Sequence, residues 1–205
     1  PQQATVLADV TVTSTHIVAT MREDVLSKLV VHDLAGKALR DLALPEFGNV
    51  SEIAYDNDAD RGYATLASFT APGKVYGFDG RSLDWKLVWQ DDPPLDVSQI
   101  VATRVYVPAG DGAKIPVFIV HRKDLRLDGS NPTLLYVYGG FNNAVEPFYV
   151  GSYSAFINRG GVAGMIWPVF ASSWSTLSDA ERIEGAETIL AAAKGGRSAV
   201  AIAVQ

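Results

Sequence analysis

The chain has 205 residues, 48% hydrophobic and 20% charged, with no cysteine and a formal net charge of −6. That length suits one large domain or two small ones with a real core, and the hydrophobic fraction excludes a disordered chain. The acidic balance gives no general pull toward nucleic acid or anionic membrane, and the lack of cysteine excludes disulfide scaffolds, thiolate metal sites and a cysteine nucleophile.

The chain opens on Pro1 rather than methionine, which reads as a processed or excerpted product. PQQATVLADVTVTST carries neither a basic region nor a long apolar run, so no signal peptide is expected. No stretch approaches the ~18 uninterrupted apolar residues of a membrane span. A soluble, cytoplasmic protein is the expectation. HIVATM (16–21), SKLVVHDL (27–34), SEIAY (51–55), GYATLASF (62–69), KVYGFD (74–79) and DWKLVW (84–89) then follow, rich in Val, Tyr, Phe, Trp and Thr. Each is bounded by Gly, Pro, Asn or Asp, with turn chemistry at DLAG (33–36), NDAD (57–60), Pro72-Gly73 and Asp79-Gly80. This is the spacing of an antiparallel meander. It would supply roughly one to two propeller blades or half a sandwich, and the pattern alone does not choose.

Asp91, Asp92, Pro93 and Pro94 interrupt the strands and mark a boundary. VATRVYVPA (101–109) and KIPVFIVHR (114–122) flank Gly110-Asp111-Gly112, a hairpin signal. LDGSNP (127–132) is a further turn. TLLYVYGGF (133–141) runs apolar without alternation, as a strand buried on both faces does. YVGSYSAFINRGG (149–161) predicts a short helix ending at glycine, and GVAGMIW (161–167) another buried strand. Strand, helix, strand in that order is a parallel βαβ unit. Ser178 and Glu181 make a capping box before a helix over 179–194, closed by Gly195-Gly196, and SAVAIAV (198–204) is a short β-type run.

RVYVPAGDGAKIPVFIVHRKDLRLDGSNPTLLYVYGGFN (104–142) resembles the start of the catalytic domain of the prolyl oligopeptidase family. REDVLSKLVVHDLAGK (22–37) and LASFTAPGKVYGFD (66–79) are similar to that family's last propeller strands. The resemblance implies serine peptidases with a β-propeller over an α/β-hydrolase domain, cleaving on the carboxyl side of proline in short peptides. It implies a mixed β and α/β fold: the last one to two antiparallel blades joined to the opening strands of the hydrolase sheet. The expected domains are residues 1–95 as partial propeller, 96–163 as the N-terminal part of the peptidase domain and 164–205 as a divergent helix-strand tail.

By the same resemblance, Tyr138 matches the tyrosine whose hydroxyl helps form the oxyanion hole. A fixed phenol donor aimed at a tetrahedral oxygen is what acyl transfer requires. Phe141 matches the phenylalanine that lines the pocket for the substrate's proline, where an aromatic wall suits a flat, apolar ring. Taken without the family, both read as core aromatics ending a strand. After Val162 the sequence departs from the family. No Gly-x-Ser-x-Gly occurs, and the nearest matches, at Ser152 and Ser198, lack the second glycine. His16, His32 and His121 lie in or beside β-type runs, and none follows a candidate serine and aspartate in hydrolase order. The triad serine, aspartate and histidine are therefore absent.

Asp56, Asp58 and Asp60 alternate as calcium-loop ligands do, but Arg61 stands where the turn glycine belongs, so a solvated turn is expected. No metal, no cofactor, no nucleic acid and no membrane partner is expected. Two readings follow. One is a fragment, or truncated or altered product, of a prolyl oligopeptidase, inactive alone and in need of a complementing chain. The other is a non-enzymatic interaction module or truncated pseudo-peptidase, in which Trp85 and Trp89 could serve an interface, although two such aromatics more often pack in a blade.

Overall fold

The computed structural model describes residues 5–23, 25–108, 114–137 and 146–166. The chain divides into two units, Pro1–Pro93 with Glu146–Tyr149 and Pro94–Val145 with Val150–Gln205. The first holds two four-stranded antiparallel meanders. One runs β1 (Val6–Val12), β2 (Ile17–Glu23), β3 (Leu26–His32) and β4 (Ala38–Leu42). The other runs β5 (Asn49–Asp56), β6 (Arg61–Ala67), β7 (Lys74–Asp79) and β8 (Trp85–Gln90).

Register explains the core. Side chains alternate across a strand, so opposite partners share a face. Pairing of Val18 with Val31 and of Thr20 with Leu29 puts these four on one side of the first sheet. In the second, Val50 faces Leu66, and Gly62 lies between Tyr55 and Phe78. The two faces meet in a single core of Val18, Leu29, Val31, Leu42, Val50, Ala64, Leu66, Tyr76, Phe78 and Leu83. Trp85 packs on this core edge-on to Phe78, with ring centroids 5.2 Å apart, and its Nε1 donates to the Ala43 carbonyl at 3.0 Å. This is the blade packing that such aromatics more often adopt: the β8 register turns Trp85 inward against Phe78. Trp89, farther along the same strand past a register shift, stays exposed.

Polar contacts lock the ends of the strands. The Asp60 carboxylate accepts from the Tyr55 hydroxyl, from Ser14 Oγ at 2.8 Å and from Arg81 Nε at 3.1 Å. Thr13 Oγ1 donates to the Gly80 carbonyl at 2.8 Å. Asp56 Oδ1 accepts from the amides of Asp58 and Ala59, so the acidic turn holds itself together through its own backbone. The hydroxyl donors at Asp60, Tyr55 first and Ser14 next, lower its carboxyl pKa to about 2. A depressed folded-state pKa contributes stability above the unfolded value of about 3.9, and that stability is lost as pH falls through the folded value. Asp60→Asn should therefore flatten the loss of stability between about pH 4 and pH 2, read by urea midpoints at stepped pH. An unchanged pH slope would refute this role for Asp60.

The second unit has β9 (Ile100–Pro108), β10 (Lys114–Arg122), β11 (Thr133–Val137), α1 (Gly151–Asn158) and β12 (Val162–Ile166). Its sheet order is β11-β12-β10-β9. The β9–β10 pair is antiparallel with Lys114 opposite Pro108, as a hairpin requires, while Gly110-Asp111-Gly112 lies outside the described residues. No helix among the described residues is long and apolar enough to cross a membrane. The expected capping box, the helix over 179–194 and the run over 198–204 also lie outside the described residues.

Candidate functional site

The candidate site hangs on the β11–α1–β12 crossover. β11 pairs with β12 in parallel, Thr133 opposite Val162 through Val137 opposite Ile166, whereas β10 pairs with β12 antiparallel. Leu135, Ala163 and Met165 are buried in this sheet with Val117, Phe118 and Val120 of β10. α1 has no side-chain cap and no acidic residue in its first turn, so packing of its buried Ser154 and Ile157 carries it. It ends where Gly160 takes φ of +90°, with amides of Gly160 and Gly161 donating to the Ile157 and Phe156 carbonyls at 2.9 and 3.1 Å. Asn158 Nδ2 then ties the helix end to the Asp96 carbonyl at 2.9 Å.

β11 ends at Val137, on the carboxyl edge of the parallel pair, the edge where α/β sheets present ligand sites, and Tyr138 is the next residue in sequence. Tyr138, Gly139, Gly140 and Phe141 themselves lie outside the described residues. On the described side, burial raises the pKa of the Tyr153 phenol on α1, and the neighbouring Tyr136 of β11 adds to the shift.

The remaining sequence candidates separate. Ser152 is exposed and Ser154 buried, both inside α1 and preceded by a non-strand stretch rather than by a strand. Ser198 lies outside the described residues. His16 shares a hydrogen bond of 2.9 Å with the Thr15 hydroxyl, and His121 Nδ1 donates to the Arg122 carbonyl at 2.7 Å. His32 Nδ1, among the described residues, is buried without a hydrogen-bond partner. Among the described residues, none of the three histidine rings is hydrogen-bonded to a serine or an aspartate.

A polar network in the first unit has no signature in the sequence. Arg22 Nε donates to Glu146 Oε1 at 3.1 Å, and its Nη2 reaches the Val50 carbonyl at 3.1 Å. Arg22 Nη1 also donates to Ser27 Oγ. Asn49, almost fully buried, donates through Nδ2 to the Val25 carbonyl at 2.7 Å and accepts from the Ser27 amide at 2.6 Å. Arg22 and Glu146 stand 124 positions apart, beyond any local pattern, so only the fold reveals the pair.

Residues 1–89 match the family model described as prolyl oligopeptidase, N-terminal beta-propeller domain. The chain belongs to the prolyl oligopeptidase family. An uncharacterized peptidase, y4nA, of Sinorhizobium fredii is 30% identical over 169 residues, 82% of this chain and 22% of that protein. A prolyl endopeptidase of Elizabethkingia miricola is 28% identical over 144 residues, 70% of this chain and 20% of that protein. The chain thus spans about a fifth of the length of these curated relatives. Among solved structures, a prolyl endopeptidase studied for inter-domain dynamics matches with a TM-score of 0.70 at 33% identity, over 80% of this chain and 24% of that one. Prolyl oligopeptidase B of Galerina marginata, bound to a 25mer macrocyclization substrate, matches with a TM-score of 0.81. It covers all of this chain and 31% of that one, and at 24% identity it speaks to the fold alone. The two antiparallel meanders are accordingly blades of the propeller domain.

Proposed function

We propose that this chain contributes an oxyanion donor and a proline-pocket wall to a serine peptidase that cleaves on the carboxyl side of proline in short peptides. The parallel β11–α1–β12 unit carries this reading, because Tyr138 is the first residue past β11. In α/β hydrolases the loop between the third strand and the first helix supplies part of the oxyanion hole. Here β11 is the third strand of its unit and α1 follows it. On this reading residues 1–95 are part of the propeller, 96–163 open an α/β-hydrolase domain, and 164–205 form its divergent tail.

The chemistry follows. A serine attacks the carbonyl of the prolyl residue, a histidine takes its proton and returns it to the leaving amine, and the Tyr138 hydroxyl donates to the oxyanion. Phe141 presents its ring to the pyrrolidine. The serine, aspartate and histidine lie outside these residues, so the chain alone cleaves nothing. A proline-directed fluorogenic peptide incubated with pure chain should stay intact, and cleavage blocked by a serine-reactive phosphonate would overturn this. In a protein joining residues 1–205 to such a triad, Tyr138→Phe should lower kcat about a hundredfold, the usual loss for one oxyanion donor, with KM nearly unchanged. An unaltered kcat would remove Tyr138 from the mechanism.

Exposed Val88 and Trp89 on β8 favour the second reading, a protein-interaction module. A stoichiometric complex at micromolar concentration would support it, and a chain that stays monomeric would oppose it.

A further inference from the structure

Each blade of the first unit gives one face to the shared core, and its opposite face carries exposed apolar side chains. On the first blade, Leu7, Val10 and Val12 of β1 stand opposite Met21, Ala19 and Ile17 of β2. These positions of β2 alternate with the core residue Val18, so all six share the outer face. Leu7, Val10 and Val12 are exposed there. Lys28, opposite Met21 on the same face, is already paired with Asp41 at 3.1 Å. On the second blade, Gly77 of β7 alternates with the core residues Tyr76 and Phe78 and stands opposite Tyr63 of β6. A Cβ at Gly77 would lie 3.0 Å from Val88 Cγ2 and 3.6 Å from the Tyr63 ring, so the glycine leaves a gap between these two side chains. Trp89 stands opposite Val75 on that face, and Tyr63, Val88 and Trp89 are exposed.

Resting on the interaction reading, we infer that a second copy of this chain covers these faces, the second blade of one copy stacking on the first blade of the next. The chain already makes such a contact within itself, in the core that both blades supply. Both blades are four-stranded meanders in chain order, and propeller blades repeat radially, each stacked on the one before by a similar rotation. Under that rotation the outer face of the second blade is the counterpart of the face that the first blade gives to the core. The outer face of the first blade is likewise the counterpart of the second blade's core face. Two copies therefore meet through unlike, complementary faces, a heterologous contact whose repetition closes a ring. Propellers close at roughly four to eight blades, so two blades per copy close at about two to four copies. A closed ring covers both outer faces of every copy, which a single foreign partner on one face does not.

Sedimentation velocity and native mass spectrometry on the purified chain at micromolar concentration should show one discrete species of about two to four copies. Val12→Asp and Trp89→Asp each place a carboxylate in one outer face. The parent side chains are 52% and 51% exposed, so neither change reaches the core. Each variant alone should be monomeric, its association weakened about a hundredfold or more by an unpaired charge in an apolar contact. Mixed in equal amounts, the two should form a one-to-one complex that grows no further, each supplying the face that the other has lost. Circular dichroism checks that each variant folds, and Val10→Lys or Val88→Lys replaces on the same face one that does not. A parent chain that stays monomeric would overturn both this inference and the interaction reading. A parent chain that associates without stoichiometry, a Val12→Asp chain that still self-associates, or a mixture that forms no complex would overturn the head-to-tail contact alone.

Discussion

Phe78→Ala should cost the first unit about 3–5 kcal/mol, the usual range for truncating a buried aromatic to alanine. Phe78 belongs to the core that both blades supply, its ring stacked on Tyr55 at 6.1 Å and edge-on to Trp85 at 5.2 Å. Leu29, Val31 and Leu66 belong to the same core, so the void left by the ring opens inside it. Opposite it stands Gly62, paired with Phe78 across the β6–β7 ladder. A Cβ at Gly62 would collide with the Phe78 ring. Gly62→Ala should cost about 1–3 kcal/mol by overpacking. The double variant Gly62→Ala with Phe78→Leu should lose less than the sum, because each change makes room for the other. Urea unfolding followed by tryptophan fluorescence reads all three. Additive losses would show that Gly62 and Phe78 do not share one space.

The second large loss is expected at Asn49→Ala. The side chain is 1% exposed and uses both ends of its amide on one hairpin, donating to the Val25 carbonyl and accepting from the Ser27 amide. Alanine leaves a buried acceptor without a partner, costing about 1–3 kcal/mol, and a half-buried donor that costs less. The hairpin it braces contains Val25 at φ of +65°, a conformation that a β-branched residue adopts only under constraint. Asn49→Ala should therefore also release this turn, seen as faster amide exchange at Leu26 and Ser27 than elsewhere in β3. Stability within about 1 kcal/mol of the parent would show that water replaces the amide at no cost, and that outcome would sink the argument.

Much of the fold was legible in the sequence where local chemistry bounded it. KVYGFD and KIPVFIVHR coincide with β7 and β10 because turn residues or charged groups close both ends of each run. β4 was missed: ALRDL has no β-branched or aromatic residue, and it is a strand only because β3 offers an edge, Leu42 opposite Leu29. β1 was passed over among the opening residues, its Val6, Val10 and Val12 exposed rather than facing the core. Trp85 and Trp89 read alike in sequence, and only the register shift at Val75 and Tyr76 separates their fates. The acidic turn was legible because Arg61 denied it a calcium geometry. For the site, the β11–α1–β12 crossover was visible in the apolar runs around a short helix. Arg22 with Glu146 was not, because nothing local marks a pair so far apart.

The sheet order of the second unit has a kinetic consequence. β9 and β10 are neighbours in sequence and in space, so their ladder needs only a short loop to close. β11 is different. Among the described residues its one hydrogen-bonded neighbour in the sheet is β12, which inserts between it and β10. During synthesis β11 therefore leaves the ribosome with no edge to join, and must wait until α1 and then β12 have emerged. The blades face no such delay, since within each of them consecutive strands pair with one another. The blade strands can thus be in place first, while β11 is paired only later.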